Sequence, residues 1–389
     1  MFYMEARYFR YQYENTEDGI IQSGCIWDAE MSVKTAYLYM SGEYAPIPKL
    51  KRRKEGGLKI IPQERPVDIL VLGAYTITYI RRLIEILQER RVRTVILPYV
   101  PPMIRLKLST YLIKEGACSE AVQKFMSAPY AYLKGKNVEN VYLIYGNGPA
   151  LEGEARGWQE GHYFERVDEK LQSMITEMEG AEIPVYRAGF IIENHWFYYY
   201  GFYSVDIPWD GTKIPLDTIT MFAGPANSRN EDVDGLFSAK VYTREQQCSV
   251  HIENQYEKCA LKCLYRNDYV VMKKHMDQNH ENLRAGVLNL GNVNLKANVK
   301  SVIARYGAFL HQVRVIAVPN CGNGEYWDSK LLSVFTGLDL EYYICACGKN
   351  TDSNVIRDIV TSSSFNRFIN VNEEFAYCFS GYIVQKEEK

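Results

Sequence analysis

The sequence is short of the residues and patterns that announce the common chemistries. Histidine is scarce: there are six in 389 residues, none in an H-x-H or H-E-x-x-H arrangement, so the usual zinc-hydrolase signatures are missing. No G-x-G-x-x-G loop follows a strand, which excludes the dinucleotide fingerprint. Gly146-Asn147-Gly148 is a lone glycine pair that reads as a turn. Cysteine is odd in number and scattered, nine in all with no pair of C-x-x-C motifs, too sparse for a disulfide scaffold or a zinc ribbon. No window holds enough consecutive apolar residues for a membrane span. MFYMEARYFRYQYENTEDG has no apolar stretch behind a basic start, so no signal peptide is expected. Charge of one sign is missing too: 45 Lys+Arg stand against 47 Asp+Glu, a net of -2, with no global pull toward a polyanion. These absences lead to the expectation of a reduced, soluble, cytoplasmic protein without a cofactor or a metal.

What is present is an ordinary globular mixture, 47% hydrophobic and 24% charged, enough for a sizeable core and two or three domains. Tyrosine is the exception, with 31 residues. A ring with a polar tip suits both strands and wet interfaces. The clearest unit lies at 67–100. VDILVLG is a run expected to be buried on both faces, and Ile80, Leu83, Ile84 and Leu87 follow at helical spacing. TVILPYV is a second buried strand stopped by Pro101-Pro102. Strand, helix, strand predicts a βαβ crossover. Short strands are expected before it at 5–12, 20–27 and 34–40. After it come helix at 103–127, strand at 141–146, helix at 164–179 and hairpins over 183–265. The last third alternates again: helix 296–309, strand 313–319, helix 326–335, strand 342–348, helix 354–362 and two closing strands. Hairpins, a βαβ unit, more hairpins and αβ units predict two mixed sheets face to face with helices outside.

Two fragments carry a resemblance. LVLGAYTITYIRRLIEIL followed by VILPYVPPMIRL resembles the first metal-binding region of the metallo-β-lactamase fold, where a strand ends in a Ser/Thr-His-x-His-x-Asp-His loop that opens a helix. VLNLGNVNL, a helix, VRVIAVPNCGNGEYWDSKLL and YYICACGKN resemble that family's later half. The resemblance covers roughly 20–110 and 245–385. It implies an αββα four-layer sandwich with two mixed β-sheets: 1–110 as the N-terminal half, 111–245 as an insertion with aromatic-rich strands, and 246–389 as the C-terminal half. It also implies that the ligand positions are vacated. Ala74, Thr76, Thr78 and Tyr79 stand where the family has His, His, Asp and His. Asn292 stands for its bridging Asp, and Asn320 and Cys321 for its His pair. A hydrolytic zinc centre needs imidazoles and carboxylates plus an open water position, and these residues supply neither.

Two surface features remain. Lys51, Arg52 and Arg53, with Arg81 and Arg82, are a basic patch if a hairpin tip and the first helix share a face. Such runs are usually only solvated surface, so nucleic acid is the lesser reading. HWFYYYGFY at 195–203 has seven aromatics in nine residues. Phe197, Tyr199 and Phe202 are its candidate interface to a protein partner, in a homo- or hetero-oligomer. The resulting expectation is a catalytically silent relative of the metallo-hydrolases. It would act as a scaffolding or regulatory subunit without a membrane, in a prokaryotic multi-gene setting such as antiviral defence. Two rivals stand beside it: a hydrolase or nuclease with a relocated site, and a nucleotide or small-ligand sensor using the vacated cleft.

Overall fold

The fold is taken from a computed structural model. It describes residues 4–42, 60–145, 159–203, 218–225, 233–243, 271–275, 285–334, 342–345, 351–362, 368–371 and 375–386, apart from a few single positions within them. Lys51, Arg52 and Arg53 lie outside these residues.

The first sheet starts with antiparallel strands β1 (Met4–Thr16), β2 (Gly19–Trp27) and β3 (Val33–Gly42). It continues in parallel through β4 (Val67–Leu72), β5 (Val92–Pro98) and β6 (Asn140–Ile144). Between β4 and β5 runs helix α1 (Ile77–Glu89), the expected crossover. After β5 the single helix expected over 103–127 is broken into α2 (Pro102–Lys114) and α3 (Glu120–Ser127), with α4 (Pro129–Gly135) beyond. Ser119 starts α3 by accepting from the Val122 amide, a cap that interrupts the periodicity.

Strand β7 (Gly161–Arg166) occupies the start of the helix expected over 164–179; the helix, α5 (Glu169–Glu179), begins behind an Asp168 cap. Local patterning favoured helix here, but pairing with β8 (Val185–Glu193) decides the conformation. β8 joins the two sheets. Its Val185 and Tyr186 pair with β6, while Gly189 to Glu193 pair with β9 (Trp196–Tyr203).

The second sheet runs from β9 through β10 (Thr218–Pro225), and then across the chain to β13 (Gly286–Asn289). Parallel strands β14 (Val313–Ala317), β15 (Tyr342–Cys345) and β16 (Phe368–Asn370) complete it. Three helices lie among these strands: α6 (Leu295–Tyr306), α7 (Lys330–Val334) and α8 (Ser353–Ser362). The closing strand β17 (Phe375–Lys386) returns to the first sheet beside β1, and β11 (Val233–Thr243) and β12 (Val271–His275) extend that edge. Strands of the 111–245 segment therefore enter both sheets.

Period-two alternation sorts the side chains into layers. Tyr37, Tyr39, Ile69, Val71, Met221, Val287, Val315 and Tyr377 meet between the sheets. Leu38, Met40, Leu70 and Leu72 turn outward onto Ile80, Leu83, Leu108, Phe125 and Ile175 of the first helical layer. Leu288 and Ile316 pack on Val299, Val302, Leu331 and Val355 of the second. The result is an α/β sandwich of two mixed sheets with helices on both outer faces. Part of the tyrosine content is explained here: Tyr11, Tyr13, Tyr37, Tyr39 and Tyr198 are wholly buried in the layer between the sheets.

Among the described residues, no helix is long and apolar enough to cross a membrane.

Candidate functional site

Parallel strands deliver their following loops to one end of a sheet, where α/β proteins gather their functional groups. Here the loops after β4, β13 and β14 converge at the start of β10. The meeting point is Thr218, which is completely buried. Its hydroxyl donates to Gly73 O at 2.9 Å and accepts from the Asn292 amide at 2.9 Å. Ala74 forms an isolated bridge to Thr218, and Ile219 N donates to Gly73 O. Asn320 N donates to Gly291 O at 2.8 Å. Four separate stretches of chain are thus tied within a few bonds.

Tyr39 lies beneath this knot. Its hydroxyl donates to Ile219 O at 2.7 Å, linking the first sheet to the second. Burial raises the phenol well above its ordinary range, so it stays a donor. The two glycines at the knot are sterically required. A Cβ on Gly291 would stand 2.3 Å from Thr218 Oγ1 and 2.8 Å from Tyr39 Oη, and its φ of +57° is left-handed. A Cβ on Gly73 would meet the Tyr39 ring at 2.7 Å. Deeper in the layer, Asn289 Nδ2 donates to Gln22 Oε1 and Gln22 Nε2 to Tyr37 Oη, both at 2.6 Å. Neutral hydrogen bonds therefore cross between the sheets at several levels.

The residues singled out in the sequence fall into two groups. Ala74, Asn292 and Asn320 are drawn into the Thr218 knot. Cys321 follows Asn320 in a tight turn, both with positive φ, 44° and 56°. Cys321 is disulfide-bonded, so its sulfur is no thiolate. Thr76 caps the N-terminus of α1 without a side-chain cap bond and is buried, while Thr78 is half-buried two residues on. Tyr79 turns away: its hydroxyl donates to Ser41 O at 2.8 Å, and its ring joins the helix-side core.

The donor set does not fit a hydrolytic zinc. Alanine has no donor atom, threonine and asparagine are neutral, and the cysteine is oxidised. Among the described residues, no group of three His, Cys, Asp or Glu could hold a metal ion. The buried carboxylates Glu14 and Asp68 serve elsewhere. Glu14 accepts from Gln12. Asp68 accepts from the Ala36 amide and from Arg65, and pairs with Arg93 at 2.9 Å. On the edge strand β7, His162 Nδ1 lies 3.0 Å from Tyr142 Oη, with Glu193 3.7 Å from its other nitrogen. That second distance is too long for a hydrogen bond.

Arg82 of the basic patch pairs with Glu85 at 3.2 Å. Burial raises the Cys118 thiol above its ordinary value, and nearby Arg81 offsets part of that rise. In the aromatic run, Trp196 and Tyr198 are buried between the sheets. The side chains of Phe197, Tyr199 and Phe202 lie outside the described residues.

Sequence reasoning missed Thr218, Tyr39 and Gly291. Thr218 and Tyr39 read as ordinary members of alternating strands, and Thr218 is 145 residues from its partner Gly73. The only sequence signal was Gly291 directly before the singled-out Asn292. No protein-family model matches the chain, and no curated protein matches it.

Proposed function

We propose that the protein is a catalytically silent metallo-β-lactamase-like sandwich that acts as a scaffolding or regulatory subunit through protein–protein contacts. The observation that carries this reading is the Thr218 knot. In a working metallo-hydrolase of this fold, the loops after the corresponding strands would be held apart by metal and a reacting water. Here they are held against one another by a threonine hydroxyl, a tyrosine hydroxyl and backbone amides. The order of elements supports the same reading: a βαβ unit, strands crossing to a second sheet, and a parallel αβ half. Placement in a multi-gene or defence system belongs to this proposal as its least constrained part.

Metal analysis of the full chain purified in the presence of zinc tests the proposal. Zinc well below one per chain is expected. About two tightly held zinc ions per chain, with hydrolysis of a phosphodiester or lactam probe, would overturn it.

A further inference from the structure

The first strand buries polar side chains on the face turned away from the second sheet. Phe9, Tyr11 and Tyr13 of β1 point between the sheets, so Arg10, Gln12 and Glu14 point the other way. Gln12 and Glu14 are nevertheless covered, 1% and 5% exposed. The strand registers place their neighbours. On β2, Cys25 lies opposite Arg10 and Ser23 opposite Gln12. On β17, Cys378 lies opposite Gln12 from the other side. Cys378, Gln12 and Ser23 thus form one row across three strands, with Arg10 on one side of it and Glu14 on the other. Directly opposite side chains stand about 5 Å apart at Cβ, so one small molecule can touch neighbours in the row.

Cys25 and Cys378 are both free cysteines on this face, and Arg10 distinguishes them. Its Nε donates to Cys378 Sγ at 3.1 Å. A guanidinium at a sulfur favours the thiolate, which is the reactive form. The Cys25 thiol instead donates to Ile60 O at 3.4 Å. Burial pushes that thiol up to about 12, and Arg10 offsets only part of the rise. Cys25 is wholly covered, whereas Cys378 keeps 6% of its surface. Along the row, Gln12 Oε1 and Ser23 Oγ have no hydrogen-bond partner among the described residues. The Gln12 amide nitrogen is taken by Glu14. An acceptor and a hydroxyl therefore stand beside a sulfur that already holds a cationic donor. Buried polar atoms ordinarily have partners, so the row fits a small molecule that both donates and accepts. Hydrogen peroxide does both, and it is small enough for a thiol this covered.

We propose that Cys378 is a peroxide-reactive thiol, with Arg10, Gln12 and Ser23 forming the site for the peroxide. The Cys378 thiolate attacks one peroxide oxygen, and the S–O bond forms as the O–O bond breaks. The departing hydroxide takes up the proton that the thiol released and leaves as water. Sulfur gives up two electrons to the peroxide and becomes a sulfenic acid, whose S–O–H can donate to Gln12 Oε1. The proposal uses neither the Thr218 knot nor the scaffold role, so the zinc measurement leaves it untouched. To test it, the full chain is reduced, freed of reductant and exposed to hydrogen peroxide. The reaction is stopped with catalase, and the chain is unfolded in dimedone, which tags sulfenic acids. Peptide masses then assign the tag. Cys378 is expected to be tagged at least about tenfold faster than Cys25 and Cys118, and dithiothreitol added before the dimedone removes the signal. Arg10→Met should slow tagging of Cys378 by at least about tenfold, and Arg10→Lys by less, with the circular dichroism unchanged. Gln12→Leu and Ser23→Ala keep the arginine, and each should slow Cys378 and leave Cys118 alone; they carry the test where Arg10→Met does not fold. No tag on Cys378, tagging of Cys25 at an equal rate, or a Cys378 rate indifferent to the folded variants overturns the proposal.

Discussion

Thr218 uses one oxygen twice, donating to Gly73 O and accepting from Asn292 N, with its own side chain wholly buried. Replacing it with valine keeps the shape and strands both partners. Thr218→Val should cost about 1–3 kcal/mol in denaturant unfolding, and Thr218→Ser should recover most of it. No loss in Thr218→Val beside a clear loss in Thr218→Ser would show that the methyl packing matters and the hydroxyl does not. Gly291→Ala tests the same knot sterically. The left-handed φ and the approach of Thr218 Oγ1 predict a loss of roughly 2 kcal/mol or more, against a gain at a relaxed glycine. None of this was readable from local sequence, because each partner is supplied by a distant segment. Ala74, Asn292 and Asn320 were readable as a set, since each follows a recognisable buried strand.

At the scale of elements, Arg105 ties α2 to its neighbours. Besides Glu179, its guanidinium donates to Val100 O, Met126 O and Ser127 O, so one cation closes the ends of α2, α3 and α5. Removing one partner of a buried ion pair leaves the other uncompensated. Glu179→Ala should cost about 3–5 kcal/mol in thermal or denaturant unfolding, and Arg105→Met with Glu179→Met should cost less than the single change. Asp168 at the head of α5 sets a pH dependence. The Leu171 amide, and then Arg187, hold its carboxyl below its ordinary value. A depressed folded-state pKa gives stability that is present above the unfolded pKa and lost as pH falls through the folded one. Asp168→Asn should therefore flatten the stability-versus-pH curve on the acid side of the ordinary carboxylate range. A curve that falls as steeply as that of the unaltered chain would contradict the cap's role. The βαβ unit at 67–98 was legible because β4 is buried on both faces and writes a continuous apolar run. β7 was not: half-exposed and polar, it resembles the start of a helix until β8 is beside it.

Across the whole molecule, neutral side chains join the two sheets. Tyr39, Thr218, Gln22 and Asn289 reach across at successive depths, and the tyrosine-rich layer fills the space around them. The sequence pattern carried the two-sheet arrangement, because strand periodicity and the order of hairpins and αβ units are written locally. It did not carry the way the loops close, which depends on side chains brought together from both sheets. The central claim is that hydroxyls and amides, not a metal, hold the converging loops. Its most direct test is the zinc content of the full chain after equilibration with excess zinc and removal of unbound ions. The account predicts well under one ion per chain and no rise in melting temperature with zinc. Two retained ions per chain with a marked thermal stabilisation would contradict it.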